Sequence, residues 1–254
     1  MKKIIQLLIL SAAVMGTAQS TTETYNGLTG WSETSNTSSN QNLQNRSVAP
    51  YDAVWIEGNF DVTLFAGEEG NIELSGSADI LEDVTVENTR KGLKISYPHT
   101  SKLNRKMKRS RPVKVRIPFN DLNAIHLSGS GSIKTDALIK ANTLTTGLAG
   151  SGSIALEIEA KQSKAQLSGS GKITLTGKSN QFESRLAGSG TINGKELTAQ
   201  NTEASLTGSG RIHVQGREKL KTNISGSGTI SVYEQTQSVQ SNHVGSGRTK
   251  FIKP

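Results

Sequence analysis

Eight basic side chains fall within fifteen residues, at Lys102, Arg105, Lys106, Lys108, Arg109, Arg111, Lys114 and Arg116. Cations at this density suit an anionic partner, and the segment is the candidate contact for acidic polysaccharide or other acidic cell-surface material. No aromatic residue interleaves with them to stack bases, so specific nucleic-acid binding is not expected. A solvated hairpin tip or edge that blocks aggregation accounts for the same residues without any ligand. From Val113 the pattern alternates with Val113, Val115 and Ile117, which places Lys114 and Arg116 on the outward face of a strand. Pro98 to Pro112 reads as a loop.

Other residue types offer less chemistry. The four histidines, His99, His126, His213 and His243, lack metal-ligand spacing, and no zinc or other metal site is expected. With no cysteine, disulfides, thiolate sites, a cysteine nucleophile and an N-terminal lipidated cysteine are excluded. The carboxylates Glu68 and Glu69, Asp79 with Glu82 and Asp83, and Glu157 with Glu159 could serve a glycosidase at suitable separation. Glu157 and Glu159 alternate with Leu156 and Ile158, as solvated strand residues do. Neither a P-loop nor a dinucleotide fingerprint occurs, and no Asp follows Asp136 to build a calcium-binding β-roll. No cofactor is expected.

Serine is abundant for a different reason. Gly-Ser-Gly begins at Gly129, Gly150, Gly169, Gly188, Gly208, Gly226 and Gly245, at steps of 18 to 21 residues. Seven tandem copies of a nucleophile make no mechanistic sense, so the motif is structural. Two residues before each copy stand Leu127, Leu148, Leu167, Leu186, Leu206, Ile224 and His243, and two after it Ile133, Ile154, Ile173, Ile192, Ile212, Ile230 and Thr249. Only the last copy drifts, as a terminal cap does.

A unit of about 19 residues cannot bury an apolar face alone, whereas stacking puts Leu on Leu and Ile on Ile. The sequence therefore predicts an all-β fold, a parallel β-solenoid or single-stranded β-helix, right-handed by crossover chirality, with about seven coils of 18–21 residues. The motif is open to two geometries, a tight corner with glycines at positive φ or an extended stretch with both glycines inward. Within the coil around Gly169, Gly177 to Asn180 reads as a turn.

Upstream, period-two alternation through Val54, Ile56, Phe60, Val62, Leu64, Ile72, Leu74, Val84, Val86, Leu93 and Ile95 indicates strands. Turns are expected at Gly58-Asn59, Gly67 to Gly70 and Lys91-Gly92, and helix should be scarce. The domains expected are a signal peptide over 1–20, a flexible Ser/Thr/Asn-rich spacer over 21–47, an N-terminal β lobe over 48–126 and the repeat solenoid over 127–254. Lys2 and Lys3, the apolar run Ile4 to Met15 and the small residues after it mark export to the periplasm, outer surface or medium. The mature chain should hold no transmembrane helix. Without Lys2 and Lys3, 27 basic residues remain of the 29, against 21 acidic, a formal charge near +6.

The stretch Val54 to Leu64, the strand Gly92 to Ile95, Val113 to Pro118 and the tandem Leu-x-Gly-Ser-Gly-x-Ile units together resemble the auto-transporter adhesin head-GIN family, over about Arg46 to Lys253. The resemblance implies an exported β-solenoid-like protein of adhesin type and carries no catalytic residues. A non-catalytic surface module is the expected function. The rival is a polysaccharide-processing, uronate lyase-like enzyme on a β-helix, using Arg105 to Arg116; the Asp-poor repeats offer such a lyase no acidic or metal-assisted stabilisation. The oligomeric state is open.

Overall fold

The computed structural model describes residues 42–98, 112–233 and 236–252. Among them are eighteen strands and one short helix. The first strands are β1 (Asn42–Ser47), β2 (Ala53–Glu57), β3 (Phe60–Ala66) and β4 (Asn71–Gly76), then helix α1 (Ala78–Leu81), β5 (Thr85–Thr89), β6 (Gly92–Ser96) and β7 (Val113–Phe119). The repeats follow as β8 (Ala124–Gly129), β9 (Ser132–Thr135), β10 (Ile139–Gly150), β11 (Ser153–Gly169), β12 (Lys172–Gly188) and β13 (Thr191–Gly208). The chain closes with β14 (Arg211–Val214), β15 (Lys219–Gly226), β16 (Thr229–Val232), β17 (Ser238–Val244) and β18 (Arg248–Phe251).

The repeats wind into a parallel β-solenoid of about seven turns. Each coil runs along a first face into the Gly-Ser-Gly corner and leaves along a second face; residues 139–141, 158–160, 177–179 and 197–199 stack as a third. Register sets like on like: Leu148, Leu167, Leu186, Leu206 and Ile224 pair in succession, as do Ile154, Ile173 and Ile192. The Leu column from Leu127 to Ile224 is at most 3% exposed, and the Ile column from Ile133 to Ile230 at most 1%. Burial of these columns drives stacking, because one coil alone would leave both in water.

The corner combines the two geometries left open by the sequence. The first glycine of every copy has positive φ, for example +126° at Gly188, while the second is buried without it in the six copies up to Gly228. A Cβ on Gly188 would stand 2.4 Å from the Gly169 carbonyl oxygen, and one on Gly190 2.7 Å from Leu167 Cδ2. The space is used by hydrogen bonds: Gly169 O accepts from both Ser189 N (3.1 Å) and Gly190 N (3.0 Å) of the next coil. The serines between the glycines point to solvent.

Upstream the same stack continues, but out of chain order. β2 and β3 lie on β8 and β9, with Gly58 at the corner beneath Gly129. β6 and β7, later in the chain, lie on the outer side of β2 and β3. Antiparallel pairing of β4 with β7, β1 with β4 and β5 with β6 then closes this end. Where later coils have the second glycine, this coil has Phe60, fully buried and stacked on Tyr97 with ring centroids 4.2 Å apart. One continuous core cluster runs from Val48 to Val232.

Two local readings need correction. Asn42–Ser47, within the stretch read as spacer, form β1; the strand carries no apolar alternation because its backbone pairs with β4 at an exposed edge. Gly177 to Asn180 is not a separate turn: Gly177 bends the chain at φ +106°, yet β12 continues, with Gly177, Lys178 and Ser179 paired to β11 and β13. The expected turns at Gly58-Asn59, Gly67 to Gly70 and Lys91-Gly92 all separate strands as read.

Candidate functional site

The basic segment spans the connection from β6 to β7. Lys102, Arg105, Lys106, Lys108, Arg109 and Arg111, with His99, lie outside the described residues. Lys114 and Arg116 are within them, on the exposed side of β7, while Val113, Val115 and Ile117 face the core at 1% exposure or less. The alternation that predicted this strand thus sets both its faces.

Neighbouring strands bring carboxylates to these two cations. Arg116 Nε lies 3.4 Å from Glu73 Oε2, and its guanidinium sits 4.8 Å from the Phe65 ring centroid. Lys114 is in register with Asp61, whose Oδ1 accepts a 2.8 Å hydrogen bond from Ser132 Oγ. One coil further on, Lys134 Nζ stands 3.5 Å from Asp136 Oδ1. The groove over these residues, about 610 Å³, is therefore mixed in charge.

The first face carries a second feature, which motif reading missed. Trp55 and His126, in register on β2 and β8, stack with ring centroids 3.8 Å apart and planes 11° from parallel. The imidazole lies over Gly147, where a Cβ would come within 2.3 Å of His126 Nδ1. Burial, and then the charge of Lys91, whose Nζ is 5.5 Å from the Trp55 ring, hold His126 below the usual histidine range. The platform opens a groove of about 550 Å³ that continues over Ser128, Ala149, Ser168, Ala187 and Thr207. These are the outward residues just before each corner, so aligning the repeats would have exposed the row; the Trp55 partnership needed knowledge that β2 stacks on β8.

Several charged groups elsewhere are engaged with one another. Glu57 pairs with Lys94 at 2.9 Å, Glu203 with Lys221 at 3.0 Å, and Glu183 with both Lys164 at 3.5 Å and Arg185. Glu69 accepts backbone N–H groups from Tyr51 (2.9 Å) and Asn120 (3.3 Å), a structural role. Glu157 and Glu159 are exposed, as their alternation predicted. Among the described residues no group of three or more acidic or histidine side chains is placed to hold a metal, and no helix is long and apolar enough to cross a membrane. His243 takes the Leu position in the last coil and bonds through Nε2 to Ser241 and Thr249, at 2.9 Å each.

Solved structures share this architecture. A "putative adhesin" from Bacteroides fragilis superposes with a TM-score of 0.76 at 19% identity, covering 85% of this chain and 98% of its own. A "putative lipid binding protein" from Parabacteroides distasonis gives 0.68 at 22%, covering 85% and 98%, and a "putative adhesin" from Parabacteroides merdae 0.67 at 16%, covering 85% and 97%. At these identities the likeness is one of fold. The comparison with curated proteins returned no match. The family described as "Putative auto-transporter adhesin, head GIN domain" matches residues 50–236, and this chain belongs to it.

Proposed function

We propose that the chain is an exported, non-catalytic binding protein of adhesin type, which holds acidic polysaccharide or similar anionic surface material through the segment Lys102 to Arg116. Family membership supports the adhesin-like role. The observation that carries the site is the placement of Lys114 and Arg116 on the outward side of β7, at the root of a connection with six further cations. Glu73 pairs with Arg116, so this reading assigns the attraction for a polyanion mainly to Lys114 and the cations of the connection. Carboxylates fixed in ion pairs or in backbone contacts, such as Glu57, Glu73 and Glu69, support the non-catalytic reading over the lyase.

Replacement of Arg105, Lys106, Lys108 and Arg109 by Glu tests this reading on a glycan array at low and high salt. Acidic glycans should be retained by the wild type at low salt, released at high salt and retained markedly less by the variant, because surface charges are screened within about 8 Å at physiological ionic strength. Retention by the variant equal to that of the wild type would remove the segment from the site.

A further inference from the structure

The coil from Gly188 to Gly208 has a step of 20 residues, against 19 from Gly169 to Gly188. Its extra residue sits on β13, where Asn193 pairs with Thr174 but Glu196, not Lys195, pairs with Thr176. Bulges of this kind turn a side chain to a new direction. Here Gly194 stays buried against Phe182, filling the place of Leu175 in the coil below, and Lys195 is pushed outward. Lys195 Nζ stands 4.9 Å from the Tyr233 ring centroid, and the Tyr233 hydroxyl lies 3.1 Å from His213 Nδ1. A repeat irregularity thus assembles a cluster.

The cluster surrounds a hollow of about 200 Å³ on the second face, lined by Lys172, Thr191, Asn193, Lys195, His213 and Tyr233. Arg211, on the same side of β14 as His213, pairs with Thr191 at its edge. Among the described residues none of the lining is a carboxylate; Glu196 follows Lys195 and Glu157 shares the column of Glu196, but both lie outside the lining. Lys172, Lys195 and Arg211 form no salt bridge among the described residues, unlike Lys94, Lys134, Lys164 and Lys221. Their charges converge on one point: besides burial, Arg211, Lys172 and Lys195 all act to hold His213 below the usual histidine range. When the Tyr233 hydroxyl donates to Nδ1, the neutral ring keeps its proton on Nε2, a further donor.

We infer that this hollow is an oxyanion site, filled by a sulfate or carboxylate group of an acidic polysaccharide chain lying along the second face. Its ligand class rests on the anionic-partner reading above, but its place does not, since Lys172 is four strands, about 19 Å, from β7. A chain is the better occupant than a free ion because the cations continue. Lys172, Thr191, Arg211, Thr229 and Arg248 stand in one column, so that a cation recurs at every second coil, about 10 Å apart, with Lys250 beside the last.

The test uses the full chain with Lys172→Ser, Lys195→Ser and Arg211→Thr. Serine and threonine already fill the column of Lys172 and Arg211 at Ser132, Ser153, Thr191 and Thr229, so the coils keep their register there; Lys195 is exposed at the bulge outside that column, and Lys195→Ser alone serves as the milder variant. Calorimetry and the His213 ring resonances are followed with a sulfated oligosaccharide, an oligogalacturonate and inorganic sulfate. Both oligosaccharides should move the His213 signals and bind the triple variant about tenfold or more weakly, as expected for lost charge-assisted hydrogen bonds. Arg248→Thr with Lys250→Ser should weaken the chains and leave inorganic sulfate unaffected. The charge reversal at Arg105, Lys106, Lys108 and Arg109 should leave the His213 shift in place. Wild-type affinity in the triple variant, a His213 shift abolished by that reversal, or inorganic sulfate binding as tightly as the chains would overturn the inference.

Discussion

Gly188 and Ser189 are neighbours in one corner and should respond to substitution in opposite ways. Gly188→Ala forces a Cβ to 2.4 Å from a backbone oxygen at φ +126°, and its unfolding free energy should fall by well over the roughly 1 kcal/mol by which Gly and Ala ordinarily differ. Ser189→Ala removes an exposed hydroxyl and should stay within about 0.5 kcal/mol of wild type. Leu186→Ala, at 2% exposure, should cost about 2 to 5 kcal/mol. Thr146 offers the reverse case: it is fully buried and its Oγ1 has no hydrogen-bond partner among the described residues. Thr146→Val should therefore stabilise the fold by about 1 kcal/mol. Denaturant unfolding measures all four. The Leu and Ile columns were legible in the sequence because identical residues recur at one offset. Thr146 was legible only as a small residue, since its lack of a partner depends on which coils lie above and below.

At the scale of elements, the faces built by β2, β8, β14 and the residue after β16 contain His126 and His213, which among the described residues have lowered proton affinity. Burial is the first cause at both, followed by the charge of Lys91 at His126 and of Arg211, Lys172 and Lys195 at His213. A histidine pKa below its unfolded value of about 6.5 means that the unfolded chain binds more protons in the interval between the two. Stability should thus be full above about pH 6.5 and decline as pH falls through that interval. Unfolding curves at pH 8 and pH 5 check the sign, and replacing both His126 and His213 with Gln should flatten the difference. Sequence periodicity gave the strands and their faces here, yet not the partnership of Trp55 with His126. The reason is topological: β6 and β7 follow β2 and β3 in the chain but stack outside them, so adjacency along the chain misleads. The one-residue excess between Gly188 and Gly208 was visible as a spacing, while its outcome, Lys195 beside Tyr233, required the bulge to be located.

Across the whole stack, each coil is held mainly by its neighbours, so stability should grade from the middle outward. Amide exchange should be slowest in β11, β12 and β13, which are paired on both sides, and fastest in β17 and β18, whose residues are almost all exposed. The last coil shields Leu220, Ile224, Ile230 and Val232 with polar groups, Ser241, His243 and Thr249, joined to Thr222. Truncation before Ser238 should uncover that apolar end and give concentration-dependent association in size-exclusion chromatography. The sequence signalled this cap directly, because His243 and Thr249 stand where every earlier copy has Leu or Ile.

The binding account is most directly tested by titrating the full chain with a polyuronate across a salt series while monitoring the solution for unsaturated sugar. It predicts affinity that falls steeply as salt rises, with the polymer recovered intact. Affinity indifferent to salt, or unsaturated product accumulating with time, would contradict it.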